Sequence, residues 1–102
     1  MNYTKDLINF IYNLNYDSLS KDTILKTKEL ILDTLGVIYS GINSEQGKIW
    51  IDYIKHTSKK GKSYSPGIEE NIDVESASML NSALGHADDY DDLHSKSIVH
   101  PA

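Results

Sequence analysis

The chain contains no cysteine and no arginine, and in its 102 residues only two prolines, one phenylalanine and one tryptophan. Without cysteine there is no disulfide, no thiolate metal site and no cysteine nucleophile. Without arginine, all ten basic side chains are lysines. The planar fork that grips phosphate or carboxylate through two parallel hydrogen bonds is therefore missing. A net charge of −5 argues further against nucleic acid as a partner. Long apolar runs are also lacking. The N-terminal MNYTKDLINF carries Asp6 inside its apolar pattern, so neither a signal peptide nor a membrane span is expected, and the cytoplasm is the expected location.

What remains is the composition of a folded protein, 39% hydrophobic and 25% charged, of a size for one small domain or part of a larger one. The periodicity is helical. Leu7, Phe10, Ile11 and Leu14 recur at i, i+3, i+4 and i+7 in a first helix over residues 4–14, with Thr4 as its cap. After a turn at residues 15–19, Ser20 caps a longer helix whose face is Ile24, Ile31, Leu35 and Ile38, ending at Gly41. Ser44 caps a third helix with Ile49, Trp50, Tyr53 and Ile54 as its buried face; Lys55, Lys59 and Lys60 crowd its end, where the helix dipole favours cations. Residues 62–72 hold Pro66-Gly67 and read as a loop with a short strand. Asp73 caps a fourth helix with Ala77, Leu80, Leu84 and Ala87 on one face. Its many small residues suit close approach of neighbouring backbones. The fold expected over residues 1–102 is a single all-α domain, a bundle of about four helices.

One segment breaks the local rules. Asp88, Asp89, Asp91 and Asp92 fall where the fourth helix should end. There they face the negative end of the helix dipole and repel one another. Such violations concentrate where something outside the segment compensates. His86, His94 and His100 flank the carboxylates. A carboxylate beside an imidazole orients a general acid or base, and on a helix His86 would share a face with Asp89 or Tyr90. Pro101 biases His100 towards an extended backbone. A solvated acidic loop and a divalent-metal site are the alternatives, although no familiar ligand spacing such as HExxH or an EF-hand loop is present. His56 reads as a surface histidine and the tyrosines as packing residues.

The segment Asn81-Ser82-Ala83-Leu84-Gly85-His86-Ala87-Asp88-Asp89-Tyr90-Asp91-Asp92-Leu93-His94, followed by Ser97 and His100-Pro101, resembles the signature of the MmgE/PrpD, or 2-methylcitrate dehydratase, family. Its members carry a helix like N-G-A-L-x-H-x-x-D-F-D-D-T-H and a loop running to H-P. LILDTLGVIYSG, Leu30 to Gly41, is similar to the family's LLDTLGVxxAG helix, and LNYDSLSKDTILKTKE to the link between its first two helices. Leu93 stands where the family usually has Thr, and Asp88 where an apolar residue is common.

The resemblance implies a large helical domain with a smaller α/β lid, assembled as a homo-oligomer. It implies lyase or epimerase chemistry, namely proton transfer next to a carboxylate of a small polycarboxylic acid, with no metal or other cofactor. In the matching positions Asp89 and His100 would be catalytic, and Asp92 and His94 would support them in substrate binding. Family members are several times longer, so the resemblance also implies an N-terminal portion lacking the cationic part of the site and inactive alone. A self-associating helical interaction module and an Asp/His metal-binding protein are the competing readings.

Overall fold

The computed structural model describes residues 2–101. It is a helical bundle with α1 at Tyr3–Asn13, α2 at Lys21–Gly41, α3 at Glu45–Thr57, a short strand β1 at Lys60–Ser63 and α4 at Val74–His86. A single 3-10 turn, Tyr16–Ser18, joins α1 to α2. None of the described helices is long and apolar enough to cross a membrane.

The helix starts are set locally. Ser20, Ser44 and Asp73 each accept a hydrogen bond from the backbone N–H three residues on, satisfying a donor with no partner inside the helix. The cap of α1 is Asn2, which accepts from the Lys5 N–H at 3.2 Å; the expected cap, Thr4, lies inside the helix. α3 ends at Thr57, so Lys59 and Lys60 stand beyond it. Lys60 opens β1, which pairs antiparallel with Ile72 across the Pro66-Gly67 loop.

α4 is the central element: α2, α3 and β1 all pack against it. Its Ala77, Leu80 and Leu84 are buried with Ile51 and Ile54 of α3 and with Ile68 and Ile72 of the loop. Ile38, Ile42 and Trp50 lean on this core from its edge. The tightest joint is backbone on backbone. A Cβ at Gly41 would strike the Leu84 carbonyl, and one at Gly47 would strike the Gly41 carbonyl. Glycine at both positions lets the end of α2 and the start of α3 close onto α4.

That joint fixes the rotation of α3. Gly47, Ile51 and Ile54 face inward at i, i+4 and i+7, whereas Ile49 and Tyr53, expected in the core, are 69% and 50% exposed. α1 is exposed along its whole length, and Ile31 and Leu35 of α2 are also exposed. The chain is correspondingly extended. Its radius of gyration is 16.4 Å, against about 13 Å for a compact domain of about 100 residues.

Candidate functional site

α4 ends at His86, and the chain then turns sharply. The Asp89 N–H reaches back to the His86 carbonyl at 3.1 Å, and Asp89 takes a left-handed backbone with φ 54°, which Asp tolerates better than most residues. The Ser40 hydroxyl donates to Asp88 Oδ2 at 2.8 Å, tying the turn to the end of α2. A second reversal brings the chain back. The His94 N–H donates to the Val99 carbonyl at 2.9 Å, and the Ile98 N–H donates to the His94 carbonyl at 2.9 Å. Ile98 is also left-handed, φ 51°, a conformation that a β-branched residue resists. The loop holds this strain and thereby delivers His100 to the end of α4.

There the two imidazoles share one carboxylate. Asp91 Oδ1 lies 3.0 Å from His86 Nδ1, and Oδ2 lies 2.9 Å from His100 Nδ1. The rings meet edge to face with centroids 4.9 Å apart. The Asp91 side chain is only 12% exposed. Burial pushes its carboxyl pKa upward, but the His86 hydrogen bond, its own backbone N–H and the charges of His100 and His86 together outweigh that and hold it below the usual carboxylate value. With its Nδ1–H donated to Asp91, a neutral His86 keeps its lone pair on Nε2, where it can accept a proton.

These groups open onto a cleft of about 430 Å³, lined by Thr34 and Ile38 of α2, by Asn81, Ser82, Gly85 and His86 of α4, and by Asp91 and His100. No lysine is among the lining residues. A second, more apolar groove lies alongside, lined by Leu30, Ile31 and Leu35 with Asp92 and Pro101, and it shares Thr34 with the first.

The residues singled out from sequence divide accordingly. Asp89 and His100 fall in one group with His86 and Asp91, their ligating atoms all within 4.8 Å of one another. Asp92 borders the apolar groove. The His94 ring pairs with the Ser97 hydroxyl within the return loop, and His94 does not line the cleft. Sequence reasoning passed over Asp91, the residue that joins the two rings. Helical spacing from His86 pointed to Asp89 or Tyr90, but the helix ends at His86, so that spacing does not apply. Two imidazoles and two carboxylates are also donors a divalent ion accepts. His86 Nδ1 already donates to Asp91 and His100 Nδ1 lies against it, so a cation taking those two nitrogens would displace the contacts.

A helical domain that presents an imidazole–carboxylate–imidazole cluster at the mouth of a cleft is thus the class that fold and site define. A family model described as the MmgE/PrpD N-terminal domain matches residues 5–102, and the chain belongs to the MmgE/PrpD family. No curated protein and no solved structure gives a significant match.

Proposed function

We propose that the cleft is the acid–base wall of a site that moves a proton at a carbon next to a carboxylate of a small polycarboxylic acid, as in 2-methylcitrate dehydration or cis-aconitate decarboxylation. The observation that carries this reading is the single Asp91 carboxylate set between two imidazoles, accepting from His86 Nδ1 at 3.0 Å and lying 2.9 Å from His100 Nδ1 as an ion-pair contact. It holds His86 in one tautomer, with Nε2 left to take or give a proton, and keeps the His100 ring beside it. In a dehydration, one base takes the proton from the carbon beside the carboxylate. The electron pair passes into an enolate-like intermediate, and the leaving hydroxyl departs as water with a proton from the acid. In this reading His100 moves the proton with Asp89 in the same cluster, and Asp92 bears on substrate from the adjoining groove; His94, paired with Ser97 in the return loop, stands outside the cleft lining.

The enolate charge needs positive groups, and apart from its imidazoles the cleft lining has none. The cationic wall therefore belongs to further polypeptide, and no turnover of 2-methylcitrate is expected from this chain alone. Turnover by the pure chain would overturn that part of the proposal. The acid–base part is tested by following the histidine ring resonances while tricarballylate is added. His86 and His100 should move together, and His56 should not. No movement of either ring, or the same movement in an Asp91→Ala variant, counts against the reading.

A second reading is a module that associates through its helices, and a specific observation favours it. The accessible surface is 8258 Å², whereas a compact monomer of 11.5 kDa exposes about 5,800 Å². The excess includes Leu7, Phe10 and Ile11 of α1 and Leu32 of α2, a face of the kind that drives assembly. Light scattering over a range of concentrations tests it. A single monomeric species throughout excludes self-association.

A further inference from the structure

Five residues before His86, on the same helix and lining the same cleft, stands Asn81. Its carboxamide is fixed from behind. The amide nitrogen lies 3.3 Å from the Tyr64 carbonyl, which can only accept. That contact therefore assigns the NH₂ end to Tyr64 and turns Oδ1 towards Ser65, whose hydroxyl donates to it at 2.7 Å. Ser65 is completely buried, and β1 and the loop after it hold it against α4. A flip would set Oδ1 against the Tyr64 carbonyl oxygen, two acceptors face to face, and a swing away would leave the buried hydroxyl unpaired, which is costly. Only one of the two amide hydrogens is used in this way. The other has no partner among the described residues.

From this we infer that Asn81 is a substrate-positioning residue of the cleft. Its second amide N–H donates to a carboxylate or hydroxyl oxygen of the bound acid, and Ser65 is the positioning residue that aims it. The inference rests on the proposed function and deepens it, because it names a neutral donor fixed in place beside the imidazoles and the carboxylate; of the hydroxyls that also line the cleft, that of Thr34 already donates to the Leu30 carbonyl. A neutral N–H can hold an anionic oxygen close to Asp91 without a competing cation that would pull the carboxylate away from His86 and His100. Gly85, one helical turn beyond Asn81, leaves the space between donor and rings open: a Cβ there would meet nothing nearer than Ile38 Cγ1 at 3.5 Å. The ligand this arrangement suits carries two oxygen-bearing groups, one for the amide and one near the rings.

The experiment uses the whole chain, ¹⁵N-labelled, with tricarballylate and succinate as probes. The Asn81 side-chain NH₂ pair and the histidine rings are followed in the same titration. One Asn81 proton should shift downfield in step with His86 and His100. Asn81→Ala should weaken tricarballylate binding about tenfold, as expected for loss of a hydrogen bond to a charged group. Ser65→Ala should weaken it about threefold by releasing the aim of the amide. If the rings respond while the Asn81 pair stays still, or if Asn81→Ala binds as the parent does, the inference is wrong and the acid–base reading stands. If neither responds, both are wrong. The titration of the unmodified chain decides the matter even if Ser65→Ala fails to fold.

Discussion

The half of the molecule from Ser44 to His86 and the half made by α1 and α2 are built from equally regular amphipathic patterns, yet they end in opposite environments. Among the described residues, every buried hydrophobic side chain lies between Ile51 and Leu84. α1, with Leu7, Phe10, Ile11 and Leu14 on one stripe, is exposed throughout, and most of α2 is exposed with it. The difference is not in propensity or spacing. α3, β1 and the loop after it close around α4, and the end of α2 joins them through the Gly41–Leu84 backbone contact, whereas α1 has nothing of that kind to lie on. An apolar stripe states which face of a helix needs cover; it does not state what supplies the cover. The cleft sits on the seam between the two halves, with α4 and the closing loop on one side and Thr34 and Ile38 of the half-covered α2 on the other.

The comparison is broken most directly by cutting the same kind of side chain in each half. Leu80 is fully buried and Leu32 is 72% exposed. Leu80→Ala should cost about 3 kcal/mol in urea-induced unfolding, and Leu32→Ala no more than about 0.5 kcal/mol. A large cost for Leu32→Ala that grows with protein concentration would show that α2 is covered by another copy, favouring the association reading over an open face.

Glycines sharpen the same contrast. A methyl group at Gly41 runs into the Leu84 backbone, while at Gly36, a turn and a half earlier in α2, it meets nothing within 4 Å. Gly41→Ala should therefore destabilise by about 2 kcal/mol. Gly36→Ala should stabilise by about 0.5–1 kcal/mol, because it removes the entropic cost of a glycine in a helix. Equal effects in the two variants would deny that the joint is tight.

A third effect belongs to Asp73, which caps α4 and also accepts the Lys59 N–H at 2.8 Å. The backbone hydrogen bonds from Ser76 and Lys59 lower its pKa from the ordinary 3.8 to about 2. A carboxyl lowered on folding adds stability that is complete above its unfolded pKa and disappears as pH falls through the folded one. The window is thus about pH 4 down to about pH 2. Asp73→Ala should lower the melting temperature by roughly 5 °C at neutral pH and flatten the melting-temperature profile in that acid window. Asp73→Asn should keep most of the cap but lose the pH dependence. Circular dichroism melts between pH 2 and pH 5, about the range over which carboxyls titrate, separate the two.

Much of this was legible in the sequence wherever the cause is local. Ser20, Ser44 and Asp73 cap because a short polar acceptor precedes an apolar period, and the inner face of α4 follows from Ala77, Leu80 and Leu84 alone. The rotation of α3 was not legible. It is decided by Gly47 meeting Gly41, a contact between helices, and so Ile49 and Tyr53 were placed inward although they face out. The same holds at the site. Four aspartates in five positions look alike in one dimension. Which of them turns towards the rings depends on the left-handed Asp89 and on the return loop through Ile98, neither of which is written in spacing.

The last expected effect on stability is small, and it is the one that bears most directly on chemistry. Asp91→Ala removes a carboxylate at the end of the fold, away from the Leu80–Leu84 core, and should change stability by no more than about 1 kcal/mol. Its effect should be on the protons of the imidazoles. With Asp91 present, His86 donates from Nδ1, so at a pH where its ring is neutral the ¹⁵N spectrum should show Nδ1 protonated and Nε2 bare. Without it, the ring should relax towards the Nε2–H tautomer that free imidazole side chains favour, and His56, which has its own carboxylate and carbonyl neighbours on α3, should not change. If His86 keeps its tautomer after the carboxylate is gone, something other than Asp91 orients it. The shared carboxylate would then be an incidental ion pair at the edge of the bundle.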